Sequence, residues 1–277
     1  MAAIPMAATP MAAIPPILLV GLGKMGGAML AGWRERGLHS SVAVDPAAIP
    51  APGPEMLVVA DAAAIPASFQ PAAVVLAVKP QNADVTLPLY RRYAGHAVML
   101  SIMAGQSISG MTRLLGPDAA IVRAMPNTPA AIRQGITVAC AGPRVTPQAQ
   151  ALCDDLLAAI GTVAWVDDES LIDPVTAVSG GGPAYVFLLA ELLEKAAIEQ
   201  GIPPDLARKL ARQTVSGSGA LLAASTQDAA QLRTNVTSPN GTTERALAIL
   251  MNPKAWPTSL SQAITAATSR SRELGRA

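Results

Sequence analysis

The chain has 277 residues, with 20 Lys and Arg against 19 Asp and Glu, three Trp, three Tyr and two Phe. A net charge of +1 provides no cationic footprint for nucleic acid or an anionic membrane, and so few aromatics offer no stacking platform for single strands. The only histidines are His39 and His96, and Cys140 and Cys153 lack C-x-x-C spacing, so metal chemistry is not expected and the cysteines fit a reducing cytoplasm.

The apolar fraction of 51% raises a membrane reading. The long uncharged stretches 1–23 and 62–78 are broken by Pro5, Pro10, Pro15, Pro16, Pro66 and Pro71, and neither reads as a span. No cation precedes Lys24, which leaves a secretory signal unsupported.

Residues 1–16, MAAIPMAATPMAAIPP, place a proline at every fifth position, which predicts a disordered arm outside the fold. From 17 to 166 short apolar runs alternate with amphipathic segments. The runs begin at Ile17, Val42, Leu57, Ala73, Val98, Ile121, Ile136 and Val163. Helices are expected over 24–36, 82–94, 107–115 and 146–159. Runs apolar throughout, without alternation, fit strands buried on both faces, as in a parallel sheet with helical crossovers. The fold class is therefore α/β, a doubly wound sheet over 17–166 followed by an all-helical segment over 167–277. In that segment helices are expected over 184–200, 205–222, 242–251 and 258–274, with Pro183 at the first start and Gly201 as a stop. Ser216 to Ala220 puts two glycines in mid-helix, which suits a close helix crossing, within the chain or between subunits.

Gly21-Leu22-Gly23-Lys24-Met25-Gly26 follows the first strand and opens the first helix. That context makes G-x-G-x-x-G a dinucleotide fingerprint of Rossmann type: glycines for the turn, for approach to a pyrophosphate and for helix packing. Asp45 ends the second strand at the distance expected of an acid that hydrogen-bonds both ribose hydroxyls and repels a 2′-phosphate, which favours NADH; a turn initiated by Asp45-Pro46 is the bland alternative. Ala77-Val78-Lys79-Pro80 and Ile102-Met103-Ala104 follow strands on the same edge and should border the cofactor. For Lys79 a buried pair with a carboxylate weighs as much as a catalytic role. Arg123 to Pro129 forms a rigid polar loop at that edge. Thr237 to Glu244 combines small hydroxyls, Gly and a helix start, which suits a small carboxylate or plain N-capping.

With Ser179-Gly180-Gly181-Gly182-Pro183-Ala184-Tyr185, these motifs make the chain resemble the pyrroline-5-carboxylate reductases from Ile17 to about Glu273. The resemblance implies reduction of 1-pyrroline-5-carboxylate to L-proline with NADH or NADPH, the final step of proline biosynthesis, in a cytoplasmic homodimer or multiple of dimers. It also implies a helical substrate-binding and dimerisation domain that interlocks two subunits. By position, Ser238, Gly241, Thr242 and Thr243 would hold the substrate carboxylate, Asn235 and Glu169 would contact substrate, and Thr243 would be the proton donor. Asn240 stands where the family usually has glycine, and Asn tolerates a left-handed backbone best among the other residues. A related imine or β-hydroxyacid dehydrogenase and a non-catalytic nucleotide sensor are the rival readings.

Overall fold

The computed structural model describes residues 13–47 and 53–275. Residues 1–12 of the expected arm therefore lie outside the described residues. Ile14 corrects the remainder of that expectation: it is 1% exposed, bridges to Leu38, donates to the Gly37 carbonyl and accepts from the His39 amide. A buried isoleucine with both backbone groups paired belongs to the fold.

Eight strands form one sheet: β1 Ile17–Val20, β2 Ser41–Val44, β3 Met56–Val59, β4 Ala73–Leu76, β5 Val98–Ser101, β6 Ala120–Met125, β7 Gly135–Ala141 and β8 Gly161–Val166. Their order is β3-β2-β1-β4-β5-β6-β7-β8. Helices α1 Lys24–Glu35, α2 Ala83–Thr86, α3 Ile108–Leu115 and α4 Pro147–Ala158 cover it. Period-two alternation sends side chains of each strand to opposite faces. Ile17, Leu19, Ala73, Val75, Val98 and Leu100 pack with Met29, Trp33, Leu156 and Leu157 of α1 and α4. Leu18, Val20, Val74, Leu76 and Met99 pack instead with Leu87, Tyr90, Met111 and Leu115. Burial on both faces is why these strands read as continuous apolar runs.

Three expectations need correction. The sheet is mixed, because β7 runs antiparallel to β6. Their connection holds only a short 3-10 turn, Thr128–Ile132, and a parallel return needs a longer crossover. Next, 82–94 is not one helix: α2 is a single turn, and Leu87–Tyr93 is a 3-10 segment in which Pro88 lacks the amide an α-helix requires. Finally, the stretch Glu169–Glu199 is by length and composition alone apolar enough to cross a membrane, an 18-residue window within it having a mean hydropathy of 1.3. The uncharged run 174–190 between Asp173 and Glu191 is as long as 62–78 and was absent from the sequence reading.

By compactness the described residues form two units, one of those up to Gly180 together with those from Thr268 on, the other Gly181–Ala267. After a 3-10 turn at Glu169–Leu171, α5 Ile172–Val175 leads into a π-helical turn at Thr176–Gly180. The helices that follow are α6 Gly182–Glu199, α7 Pro204–Ala224, α8 Ala229–Asn235, α9 Thr242–Leu250 and α10 Trp256–Leu274. Pro183 lies in the first turn of α6, and Gly201, at φ +85°, ends it. Helix α8 was absent from the sequence reading, although Asp228 caps it by accepting from the Gln231 amide at 2.7 Å. No residue of α6 is buried, and Phe187 is 67% exposed. On α7, Ala207 and Ala211 are buried, while Leu206, Leu210, Gly217 and Leu221 line an open groove. Among the described residues a Cβ on Gly219 would meet nothing within 4 Å, so no close helix crossing occurs there among them.

Candidate active site

In the first unit the parallel strands β1, β2, β4 and β5 end on one edge, and β1 is the point where strand order reverses. That is where open α/β sheets bind ligands. Gly21 turns the chain there at φ +100°, and a Cβ on it would lie 2.6 Å from the Ala77 carbonyl oxygen. Gly26 is buried, and a Cβ on it would run into the Gly21 carbonyl. These two glycines are required by packing alone. Gly23 differs: a Cβ there would meet nothing within 4 Å. It is the N-cap of α1, with no side chain capping that end and no acid in the first turn. The helix amides and their partial positive charge thus face open space, which fits a pyrophosphate. Lys24 is exposed at the first helical position, and Leu22 and Met25 pack against the core below.

The Asp45 carboxylate joins this loop: Oδ2 accepts from the Leu22 amide at 2.7 Å and Oδ1 from the Ala47 amide at 2.9 Å. It is therefore both the start of a turn and a negative group beside the glycine loop. The Ala77 amide donates to the Val20 carbonyl at 2.8 Å, which carries the ladder one residue past β4. Val78 packs into the core, Pro80 opens a 3-10 turn, and Lys79 is exposed. Exposure corrects the buried-pair alternative for Lys79. On β5 the Ile102 amide donates to the Leu76 carbonyl at 3.1 Å and the Met103 amide to Ser101 Oγ at 3.3 Å. Met103 is buried, Ala104 half-buried, and Gly105 left-handed at φ +70°. Asn127 Oδ1 accepts from the Ile136 amide at 3.0 Å, which closes the loop after β6.

Glu169 also lies in the first unit. Its Oε1 accepts from the Ile108 amide at 2.8 Å and from Arg123 Nη1 at 2.9 Å. Arg123 is 5% exposed on β6, 3.5 Å from Asp173, and its Nε is buried without a partner among the described residues. The sequence reading missed this cluster, and its one signal is a cation inside the apolar run Ile121-Val122-Arg123-Ala124.

In the second unit Ser238, Pro239, Asn240 and Gly241 form a tight turn, the Gly241 amide donating to the Ser238 carbonyl at 3.0 Å. Proline second and a left-handed residue third is the type II pattern, and Asn240 takes φ +58° as expected of a glycine substitute. Gly241 is the N-cap of α9, again without a side-chain cap, and Thr242 and Thr243 are its exposed first residues. Glu244 reaches back, Oε2 accepting from the Asn240 amide at 2.6 Å. Ser238 is exposed, and Asn235 is engaged by Gln227 and Gln231. Among the described residues no three His, Cys, Asp or Glu side chains converge as metal ligands do.

A glycine turn at the switch point of a doubly wound sheet, with an acid closing the second strand, defines a Rossmann-type oxidoreductase. Residues 169–274 match the family described as pyrroline-5-carboxylate reductase dimerisation. A pyrroline-5-carboxylate reductase of Synechocystis sp. is 41% identical over 73% of this chain and 74% of its own length. One from Pseudomonas aeruginosa is 36% identical over 94% and 97%. Among solved structures, Plasmodium falciparum pyrroline carboxylate reductase with NADP bound matches with TM-score 0.79 at 27% identity, covering 94% of this chain and 99% of that one. The chain belongs to the pyrroline-5-carboxylate reductase family. The dimerisation match spans the helices whose apolar faces are exposed.

Proposed function

We propose that this chain reduces 1-pyrroline-5-carboxylate to L-proline, the final step of proline biosynthesis, with the two loop regions described above as its machinery. When bound, a nicotinamide dinucleotide supplies the hydride for the imine carbon. The observation that carries the reading is the open approach at Gly23, where a helix start without a cap faces space that no Cβ would obstruct. Gly21 to Gly26 hold the pyrophosphate on the amides of α1, and Ala77 to Pro80 with Ile102 to Ala104 border the rest of the cofactor. Asp45 takes the ribose hydroxyls, and its charge beside the loop disfavours a 2′-phosphate, so NADH is preferred over NADPH.

Ser238, Gly241, Thr242 and Thr243 hold the substrate carboxylate through amides and hydroxyls at the start of α9. Thr243 orients the ring nitrogen or passes it a proton as the C=N bond is reduced to C–N. Asn235 contributes from the end of α8. Glu169 contacts substrate through Oε2, its Oε1 being held by Arg123 and the Ile108 amide. Hydride transfer to an imine carbon is chiefly a matter of positioning, which backbone amides and small hydroxyls supply without histidine or metal. The working form is a cytoplasmic dimer or multiple of dimers.

The test is loss of nicotinamide absorbance on mixing the purified chain with synthetic 1-pyrroline-5-carboxylate and each cofactor. Turnover is expected with both and more efficiently with NADH; a large kcat/KM preference for NADPH would overturn the role of Asp45, and no turnover would overturn the reaction. Thr243→Ala should lower kcat by about two orders of magnitude while the cofactor Kd stays unchanged. Wild-type turnover in that variant removes Thr243 from the mechanism.

A further inference from the structure

The loop from Ile102 to Ser107 is held at one end by β5 and at the other by Ser107, which caps α3 by accepting from the Gly110 amide at 3.0 Å; its other anchors lie far away in sequence. Its far end, the Ile108 amide that opens α3, is accepted by Glu169 Oε1 at 2.8 Å. The same oxygen is fixed by Arg123 Nη1 at 2.9 Å, and Arg123 Nη2 lies 3.5 Å from Asp173 Oδ1. That oxygen in turn accepts from Ser271 Oγ, on the last turns of α10, at 2.7 Å. Ser271 is 6% exposed. At mid-loop, a Cβ on Gly105 would sit 3.2 Å from Leu274 Cβ, and one on Gly275 would sit 3.3 Å from the Gly105 carbonyl oxygen. Backbone therefore rests on backbone where α10 ends.

Burying an arginine with one donor unpaired is a poor way to gain stability, since apolar residues of equal volume often do as well or better. What the ionic chain provides that an apolar contact does not is a fixed direction at the Ile108 amide. We infer that the carboxyl-terminal end of α10 and the chain Ser271–Asp173–Arg123–Glu169 position the loop Ile102–Ser107 for the nicotinamide end of the cofactor, with Ser271 and Leu274 as positioning residues. The inference rests on the reading that Ile102 to Ala104 border the cofactor, at its nicotinamide end because β5 lies on the opposite side of β1 from β2, whose Asp45 takes the other ribose.

The experiment compares NADH with ADP-ribose, which lacks the nicotinamide, by direct titration of the purified chain. In Ser271→Ala and in a chain ending at Arg272, NADH affinity should fall at least about threefold and about tenfold, while ADP-ribose affinity stays at the wild-type value. Ser271→Thr, which keeps the hydroxyl, should restore NADH binding. Equal weakening of both ligands in either variant would mean a general loss of structure, and wild-type NADH affinity in both would mean the loop needs no such support; each overturns the inference. Ala104→Val is the control for the underlying reading. If it leaves the ratio of NADH to ADP-ribose affinity unchanged, the loop does not border the nicotinamide; if it moves the ratio while the α10 variants do not, only the bracing role fails.

Discussion

The two units spend the same kinds of apolar residue in opposite ways. In the first, β1, β4 and β5 are buried along their whole length, and each face of the sheet has its own helices. In the second, α6 buries none of its residues, and Leu206, Leu210 and Leu221 of α7 stand half-exposed. Burying a leucine-sized side chain contributes about 1.5–3 kcal/mol, so the first unit collects its stabilisation within the chain while much of the second unit's waits for a partner subunit. The sites follow the same division. The glycine turn of the first unit is enforced by carbonyls packed against it, whereas the turn at Ser238 to Gly241 is exposed and held by its own hydrogen bonds.

The largest expected effect lies where packing is tightest. Gly26→Ala pushes a methyl into the Gly21 carbonyl and should cost on the order of 3 kcal/mol, seen as loss of both cofactor binding and thermal stability. If the variant binds cofactor normally, the turn is not over-determined and the contrast between the units weakens. Leu210→Glu places a charge in the exposed groove of α7 and should weaken self-association by more than tenfold, roughly 2 kcal/mol, in sedimentation experiments. Cofactor binding by the first unit should survive; if it is lost, the units do not stabilise themselves separately.

Asp45→Ser tests a residue that serves the fold and the ligand together. The ratio of NADPH to NADH efficiency should rise by about tenfold, since a like charge beside a 2′-phosphate is removed. NADH binding should also weaken, because the Leu22 amide loses its acceptor. Unchanged NADH affinity would show that the carboxylate does not support the loop.

The smallest effect concerns pH. Burial pushes the Cys153 thiol from 9.0 up to about 12, and that of Tyr90 from 10.0 up to about 12. Both are raised in the fold, so their stabilisation is complete below about pH 9 and declines as pH climbs toward 12. Melting temperature followed across that range should fall, and less so in Cys153→Val. A flat profile would mean these groups titrate in the folded protein as freely as in the unfolded one.

Much of the first unit was legible because each element had a local cause. Continuous apolar runs gave the strands, amphipathic spacing gave α1, α3 and α4, and the glycine spacing gave the turn. Pro88 broke an expected helix, and the short link after Pro126 reversed a strand, both through backbone rules that apolar spacing does not reveal. At the site, Asn240 was legible as a left-handed residue because the family resemblance places a glycine there and Asn is the residue that best replaces one. The engagement of Glu169 was not, because its partners Ile108 and Arg123 are distant in sequence and no short-range pattern links them.

By itself, then, the sequence determined the alternation of strands and helices, the glycine turn and the acid at the end of the second strand. These follow from residue types, local backbone preferences and spacing. Only the tertiary structure decided that Asp45 grips the Leu22 amide, that Ile14 joins the core, and that an arginine buried on β6 connects α3 to the end of α10. The physical reason is that such contacts form between groups far apart along the chain, whose meeting is set by the sum of packing rather than by any local preference.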